Sequence, residues 1–368
     1  MDFDEKINRL RLIRTPYIGP VTCRLLLQRY GTAAAALAAV PELSARGGRN
    51  LTPVSRAKAE AEFQAAEKHG AEILIFGSDE YPDQLARYDD APIALFVKGQ
   101  KTLLHKPMLA IVGARNASLN ACRLTEHYAR EIGAAGYVII SGMARGIDRA
   151  AHQGSLQTGT IAVLANGVDS PYPRDNEDIY TQIAEMGLLV SEMPLGTIPA
   201  ARLFPARNRI IASFCRACLV IEAALNSGSL ITAKEAADRQ AEVMALPGSP
   251  LDPRAKGANA LIQDGAHLVQ SPQDVLELMR DDKITDYPPP TFTSESLTPD
   301  REINPMDIAD ARKLILENLS HDPIDIDELS RWCHVSAEVM IAALLELELS
   351  GQVQRHLNNR VSRRLEMS

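Results

Sequence analysis

The chain has 368 residues, 46% of them apolar, 23% charged and 5% aromatic, with a formal net charge of −8. That length predicts two or three domains, because one hydrophobic core rarely outgrows about 250 to 300 residues, and the apolar fraction is too high for a disordered chain. No apolar run approaches the roughly 18 to 20 residues that span a bilayer, residues 1–5 open acidic with no signal-peptide core behind them, and five irregularly spaced cysteines point to a reducing compartment, so a cytoplasmic protein is expected.

Residues 1–70 read as a helical domain. Ile7, Leu10, Leu12 and Ile13 share one helical face and Val21, Leu25, Leu26 and Leu27 another, followed by an Ala-rich run at 33–39 and a helix-forming stretch at 55–68. The turn Thr15-Pro16-Tyr17-Ile18-Gly19-Pro20 resembles a helix-hairpin-helix, whose glycine turn offers backbone N–H groups to a phosphate. Pro20 removes one such donor, and a purely structural helical cap is the other reading.

From 71 to 279 the pattern becomes strand, turn, helix, repeated. Nine short apolar runs are strand candidates, at 73–76, 93–97, 109–112, 138–140, 161–164, 188–190, 219–221, 243–246 and 267–269. Continuous apolar runs suit parallel strands buried on both faces, and helical patterns such as 122–132 and 232–239 lie between them. The expected fold is an α/β, Rossmann-like, doubly wound and mostly parallel sheet.

Residues 280–306 read as a flexible linker: three prolines at 288–290 and, over 281–310, eight acids against two bases leave nothing to pack. Residues 307–368 then give three helical patterns (308–319, 326–332, 337–349) and a hairpin around Asn358-Asn359, which is winged-helix order. The third helix is a poor DNA reader, since Ser336 to Leu349 carries three glutamates and no Lys or Arg. A protein-contact or regulatory module is an equal reading.

Three strand-to-helix turns in the sheet domain carry small residues and hydroxyls: Gly113-Ala114-Arg115 with Ser118, Ser141-Gly142-Met143-Ala144-Arg145-Gly146, and Ser227-Gly228-Ser229 with Thr232. Such turns gather at the carboxyl edge of a parallel sheet, where glycine admits an anion to the backbone and helix N-termini donate to it. None is a P-loop and none a dinucleotide fingerprint, which weakens ATPase and dehydrogenase readings. Phe204-Pro205-Ala206-Arg207-Asn208-Arg209 can stack a base, grip phosphate and reach a base edge, or else place Phe204 in the core with its arginines solvated or paired. Four arginines and no acid lie between 202 and 216, and Lys234 follows the third turn. Glu222 is the best acid–base carboxylate, with ribose binding or turn capping as its alternative. His152 lacks a serine nucleophile, and Cys215 and Cys218 read as buried side chains, so neither a cofactor nor a metal is expected.

These motifs, with Leu246-Pro247-Gly248, Gly257-Ala258-Asn259, Leu261-Ile262 and Gly265-Ala266, closely resemble the bacterial DNA-processing protein A family (DprA, also called Smf), in order over about residues 71–270. The resemblance implies an extended Rossmann domain that binds single-stranded DNA without cutting it, protects incoming strands in natural transformation and helps load a RecA-type recombinase. It also implies a homodimer joined through that domain, an N-terminal helical domain and often a C-terminal winged helix. Ala114 departs from the family, where serine is common.

The site expected on these grounds comprises Gly113, Arg115, Ser118, Ser141, Gly142, Arg145, Gly146, Phe204, Arg207, Asn208, Arg209, Ser227, Gly228, Ser229, Thr232 and Lys234, with Leu268, Val269, Val275 and Leu276 as a candidate dimer seam. One rival is an enzyme of the nucleoside-monophosphate phosphoribohydrolase type using Glu222, although the Pro-Gly-Gly-x-Gly-Thr signature is absent. Another is a recombinase adaptor whose DNA contact is secondary.

Overall fold

A computed structural model describes residues 1–280, 305–356 and 359–364. The linker expected at 280–306 falls almost wholly outside the described residues, as does Asn358 of the expected hairpin turn. The chain forms two compact units, one of Met1–Ala61, Asp89–Ile93 and Pro290–Ser368, the other of Glu62–Tyr88 and Ala94–Pro289.

In the first unit, α1 (Phe3–Arg14), α2 (Pro20–Tyr30) and α3 (Ala33–Arg46) form the N-terminal helical module. Asp2 and Thr32 cap the first and third of these by accepting from Glu5 N and Ala35 N, which satisfies donors that a helix start leaves open. Helix α4 (Arg56–Lys68) leads into the second unit.

The second unit contains β1 (Glu72–Ile75), α5 (Asp83–Ala86), β2 (Ala94–Gly99), β3 (Met108–Gly113), α6 (Leu119–Ala134), β4 (Val138–Ser141), α7 (Ile147–Ser155), β5 (Thr160–Leu164), α8 (Glu177–Met186), β6 (Leu188–Ser191), α9 (Leu203–Phe214), β7 (Ala217–Ile221), α10 (Gly228–Asp238), β8 (Glu242–Ala245), α11 (Lys256–Gln263), β9 (His267–Leu268) and α12 (Pro272–Leu278). Its sheet runs in the order β1-β2-β6-β5-β4-β3-β7-β8-β9. The seven strands from β6 to β9 are parallel, and β2 and β1 close one edge antiparallel.

Strands β3 to β7 are buried almost end to end, because helices cover both faces of a parallel sheet. Leu109, Ile111, Ile139, Leu219 and Met244 pack with Tyr128, Ala129 and Ile132 of α6 and with Val275 of α12. From β3 the chain winds outward through β4, β5 and β6, then returns to the other side of β3 as β7. The gap beyond the carboxyl ends of β3 and β7 is therefore the switch point at which open α/β sheets bind ligands.

The C-terminal module contains α13 (Pro305–Asn318), β10 (Ile324–Asp325), α14 (Ile326–Cys333), α15 (Ala337–Leu349), β11 (Val353–His356) and β12 (Arg360–Arg363). Its three strands pair antiparallel in the order β10-β12-β11. Three helices and this wing are a winged helix, around a core of Ile315, Leu329, Leu344, Leu347 and Val361.

His152 lies wholly inside the sheet domain, with Nδ1 2.7 Å from Thr160 Oγ1. Burial, and then the Arg207 charge, hold its pKa down at about 3. Between the ordinary value of 6.5 and about 3, only the unfolded chain takes up this proton, so stability falls as pH drops through that window, by up to about 1.4 kcal/mol per pH unit. Urea unfolding from pH 7 to pH 4.5 should show this loss, and His152→Gln should flatten it.

Candidate functional site

A cleft of about 710 Å³ opens at the switch point, lined by all three glycine turns' neighbourhoods: Gly113 to Asn116, Ala144 and Asp148, and Ala224 to Ser229 without Leu225. Helix α9 supplies one wall through Phe204, Arg207, Asn208 and Ile211, and the loop after β8 supplies Pro253 and Arg254. Arg115 is exposed on the first turn, and its guanidinium carbon sits 5.2 Å from the centre of the Phe204 ring. An aromatic face beneath a cation at this separation is a cation–π pair. The pair presents a charge and a flat apolar surface side by side.

Beyond them lies the start of α10. Ser227 caps this helix, its Oγ 2.7 Å from Ser229 Oγ, and a side chain added at Gly228 would meet nothing within 4 Å. Free space in front of an eleven-residue helix start suits an anion, since unpaired N–H groups and the helix dipole converge there. Asn116, Asn208 and Asn226 add amides, and Ser229 and Thr232 hydroxyls, to the lining.

The glycines of the other turns serve packing. A Cβ on Gly142 would strike the Arg207 guanidinium, one on Gly113 would strike the Ile221 carbonyl, and one on Gly146 would strike the Ala114 and Arg115 carbonyls. Gly146 also has φ +75°, a conformation glycine adopts without cost.

Arg207 is the structural centre of the site. Its guanidinium is buried, donating to Gly142 O, to Val163 O at 2.8 Å and to Asn208 Oδ1 at 3.0 Å. Burial lowers its pKa to about 10 against the support of Asp148. Burial also raises the Asp148 carboxyl, opposed first by Arg207 and then by the Ala144 N–H.

Several expected site residues either face inward from the cleft or lie outside it. Arg207 is bonded inward to carbonyls and so anchors the cleft floor. Arg209, two residues further along the helix, is buried away from the cleft and pairs with the part-buried Glu192 at 2.6 Å. Ser141 is fully buried and donates to Ile111 O at 2.6 Å. Ser118 caps α6 and is held by Glu222, whose carboxylate accepts from Ser118 N–H at 2.8 Å and Oγ–H at 2.6 Å. Arg145 and Lys234 are exposed but do not line the cleft, and Arg145 lies 3.5 Å from Asp175. Glu222 lines a separate cleft of about 210 Å³ with Ser118 and Asp252. In the candidate seam, Val269 and Val275 are fully buried in their own core and Leu276 packs against it, which leaves Leu268 at 49% exposure as surface for a partner. Cys215 and Cys218 are buried thiols, Cys215 pushed up to about 12 and Cys218 well above its usual range by burial.

Sequence reading missed Arg254 and Tyr172. Arg254 faces the cleft at 38% side-chain exposure, held in a two-point pair by Asp252 at 2.8 and 3.1 Å. Tyr172 is 43% exposed, its ring centre 6.1 Å from that of Phe204, so it extends the aromatic surface. The only sequence signal for either was an arginine or a tyrosine set between prolines and turn residues.

A doubly wound domain with a cationic, aromatic and helix-capped cleft at its switch point, flanked by a helical module and a winged helix, is the class of protein defined by this fold and site. Residues 72–280 match the family described as DNA recombination-mediator protein A, residues 3–65 the DprA-like N-terminal HHH domain and residues 289–359 the DprA winged helix domain. The chain is 35% identical to Protein Smf of Escherichia coli over 316 residues, covering 84% of this chain and 82% of that protein. It is 45% identical to the DNA processing protein DprA of Streptococcus pneumoniae over 200 residues, 54% of this chain and 71% of that one. The X-ray structure of the S. pneumoniae protein aligns with TM-score 0.57 at 41% identity, covering 61% of this chain and 78% of that one. A Helicobacter pylori DNA processing protein A structure, described by its single-stranded DNA binding mode, aligns with TM-score 0.54 at 29% identity, covering 58% and 96%. The chain belongs to the DNA-processing protein A (DprA/Smf) family.

Truncating Arg207 strands two backbone carbonyls and leaves Asp148 buried without its countercharge, a change that costs about 3–5 kcal/mol. Arg207→Ala should therefore lower the melting temperature by many degrees, while Arg115→Ala should leave it nearly unchanged. Differential scanning calorimetry checks both.

Proposed function

We propose that the cleft binds single-stranded DNA and performs no reaction on it. The observation that carries this reading is the Arg115–Phe204 pair, 5.2 Å apart at the mouth of a cleft that ends on the open start of α10. Stacking on an aromatic ring is tolerant of base identity and needs an unpaired base, which a duplex does not offer. Arg115 and the Gly228 turn hold successive phosphates, Phe204 with Tyr172 stacks bases, and Asn208 reaches a base edge. The H. pylori relative's described single-strand binding supports the same use of the fold.

The proposal of no catalysis rests on the acids. Glu222 is spent on the Ser118 cap in a different cleft, and Asp148 is buried with its carboxylate on the Ala144 N–H. Among the described residues, the phosphoribohydrolase reading therefore finds only a buried, already committed carboxylate, Asp148, in the cleft of the phosphate turn. Family membership extends the proposal to protection of incoming DNA in transformation, delivery of that DNA to a RecA-type recombinase, and a cytoplasmic homodimer. No helix among the described residues is long and apolar enough to cross a membrane.

Fluorescence anisotropy with a labelled oligonucleotide tests the reading. Wild type should prefer the single strand to the duplex and weaken steeply with salt, because each neutralised phosphate releases counterions. Phe204→Ala should cost about 1–3 kcal/mol of binding per stacked base. Arg115→Ala should lower the salt slope by about 0.7, and a wild-type affinity in that variant overturns the assignment. Arg254→Ala should lower the slope by a similar step, while Asp252→Asn, which frees Arg254, should tighten binding.

A further inference from the structure

We propose that the winged helix is a protein-recognition module whose partner is the N-terminal helical module of the same chain, and that its third helix is closed to DNA. In winged-helix DNA readers the third helix enters the major groove. Here that helix, α15, is buried throughout its Ala342–Leu349 half and packs along α3.

Its acids make the contact specific. Glu346, 2% exposed, lies 3.0 Å from Arg312 and 3.6 Å from Arg46. Glu348, 7% exposed, lies 3.3 Å from Arg355 and accepts from Thr22 Oγ at 3.0 Å. Buried carboxylates are costly unless paired, so they tolerate one register and penalise others.

The approach is close enough to require glycine. A Cβ on Gly47 would strike Ser350 and the Glu346 carbonyl, and Gln352 Nε2 donates to Gly47 O at 2.6 Å. The end of the wing meets the same module. Tyr17, in the helix-hairpin-helix turn, is flanked by Arg49 at 4.5 Å and Arg364 at 4.8 Å, and Gly351 abuts its ring. Arg364 at the end of the wing and Gly351 just past the third helix thus close on the turn that would otherwise present donors to a phosphate.

The test uses the intact protein. Arg46→Cys with Gln352→Cys should be joined within one chain by a short bismaleimide, seen as a linked peptide by mass spectrometry, because the Gln352 amide reaches Gly47 O, one residue from Arg46. Failure of this pair to link, or linkage only between two chains, overturns the proposal. Gly47→Leu opens the seam without touching either module's core, and hydrogen exchange should then quicken over residues 342–349 while duplex affinity stays at the wild-type level. A gain in duplex binding by Gly47→Leu would show that the exposed helix reads DNA and would overturn it from the other side.

Discussion

The buried guanidinium of Arg207 ties the site together. It bridges carbonyls just beyond β4 and near the end of β5 from a helix that crosses above them, and so joins the second glycine turn to the cleft wall that bears Phe204. Gly142 has no side chain because that guanidinium occupies the space. A charge this deep is stable only with acceptors and an opposing carboxylate, which the two carbonyls, Asn208 and Asp148 provide. The ligand-facing groups stand on this arrangement: Phe204 lies one helical turn before Arg207, and its ring lies between the carbons of Arg207 at 5.9 Å and Arg115 at 5.2 Å.

The cleft separates structural charge from exposed charge. Arg207 and Arg209 are satisfied within the protein, whereas Arg115 and Arg254 reach solvent. A net charge of −8 is compatible with a polyanion partner on this basis, because local field at the cleft, with two exposed guanidiniums and a helix start, outweighs the sum over a distant surface. Arg254 carries its own neutralising acid in Asp252, so its contribution depends on whether phosphate can displace that carboxylate.

The terminal modules reverse the use of charge. There the carboxylates are buried and the arginines complete them, producing a protein–protein seam of the kind that excludes nucleic acid. The composition of α15, acidic and without a basic residue, belongs to that role.

All nine strands of the central sheet were legible in the sequence, because short apolar runs between turns leave little choice in a sheet buried on both faces. The winged-helix order and the three glycine turns were legible for similar reasons, being local in sequence. The direction in which each side chain points was not. Phe204 to Arg209 reads as a string of DNA-binding residue types, yet it folds as helix α9, whose 100° step sends Arg207 to the floor and Arg209 to Glu192. Ser118 and Glu222 are 104 residues apart, and nothing short of the pairing of β3 with β7 could show that they satisfy each other. The sequence by itself determined the elements, their class and the family motifs, since those follow from local periodicity. Only the tertiary structure decided which arginines are exposed and which are beams, because burial and partnership are made by residues distant in the chain.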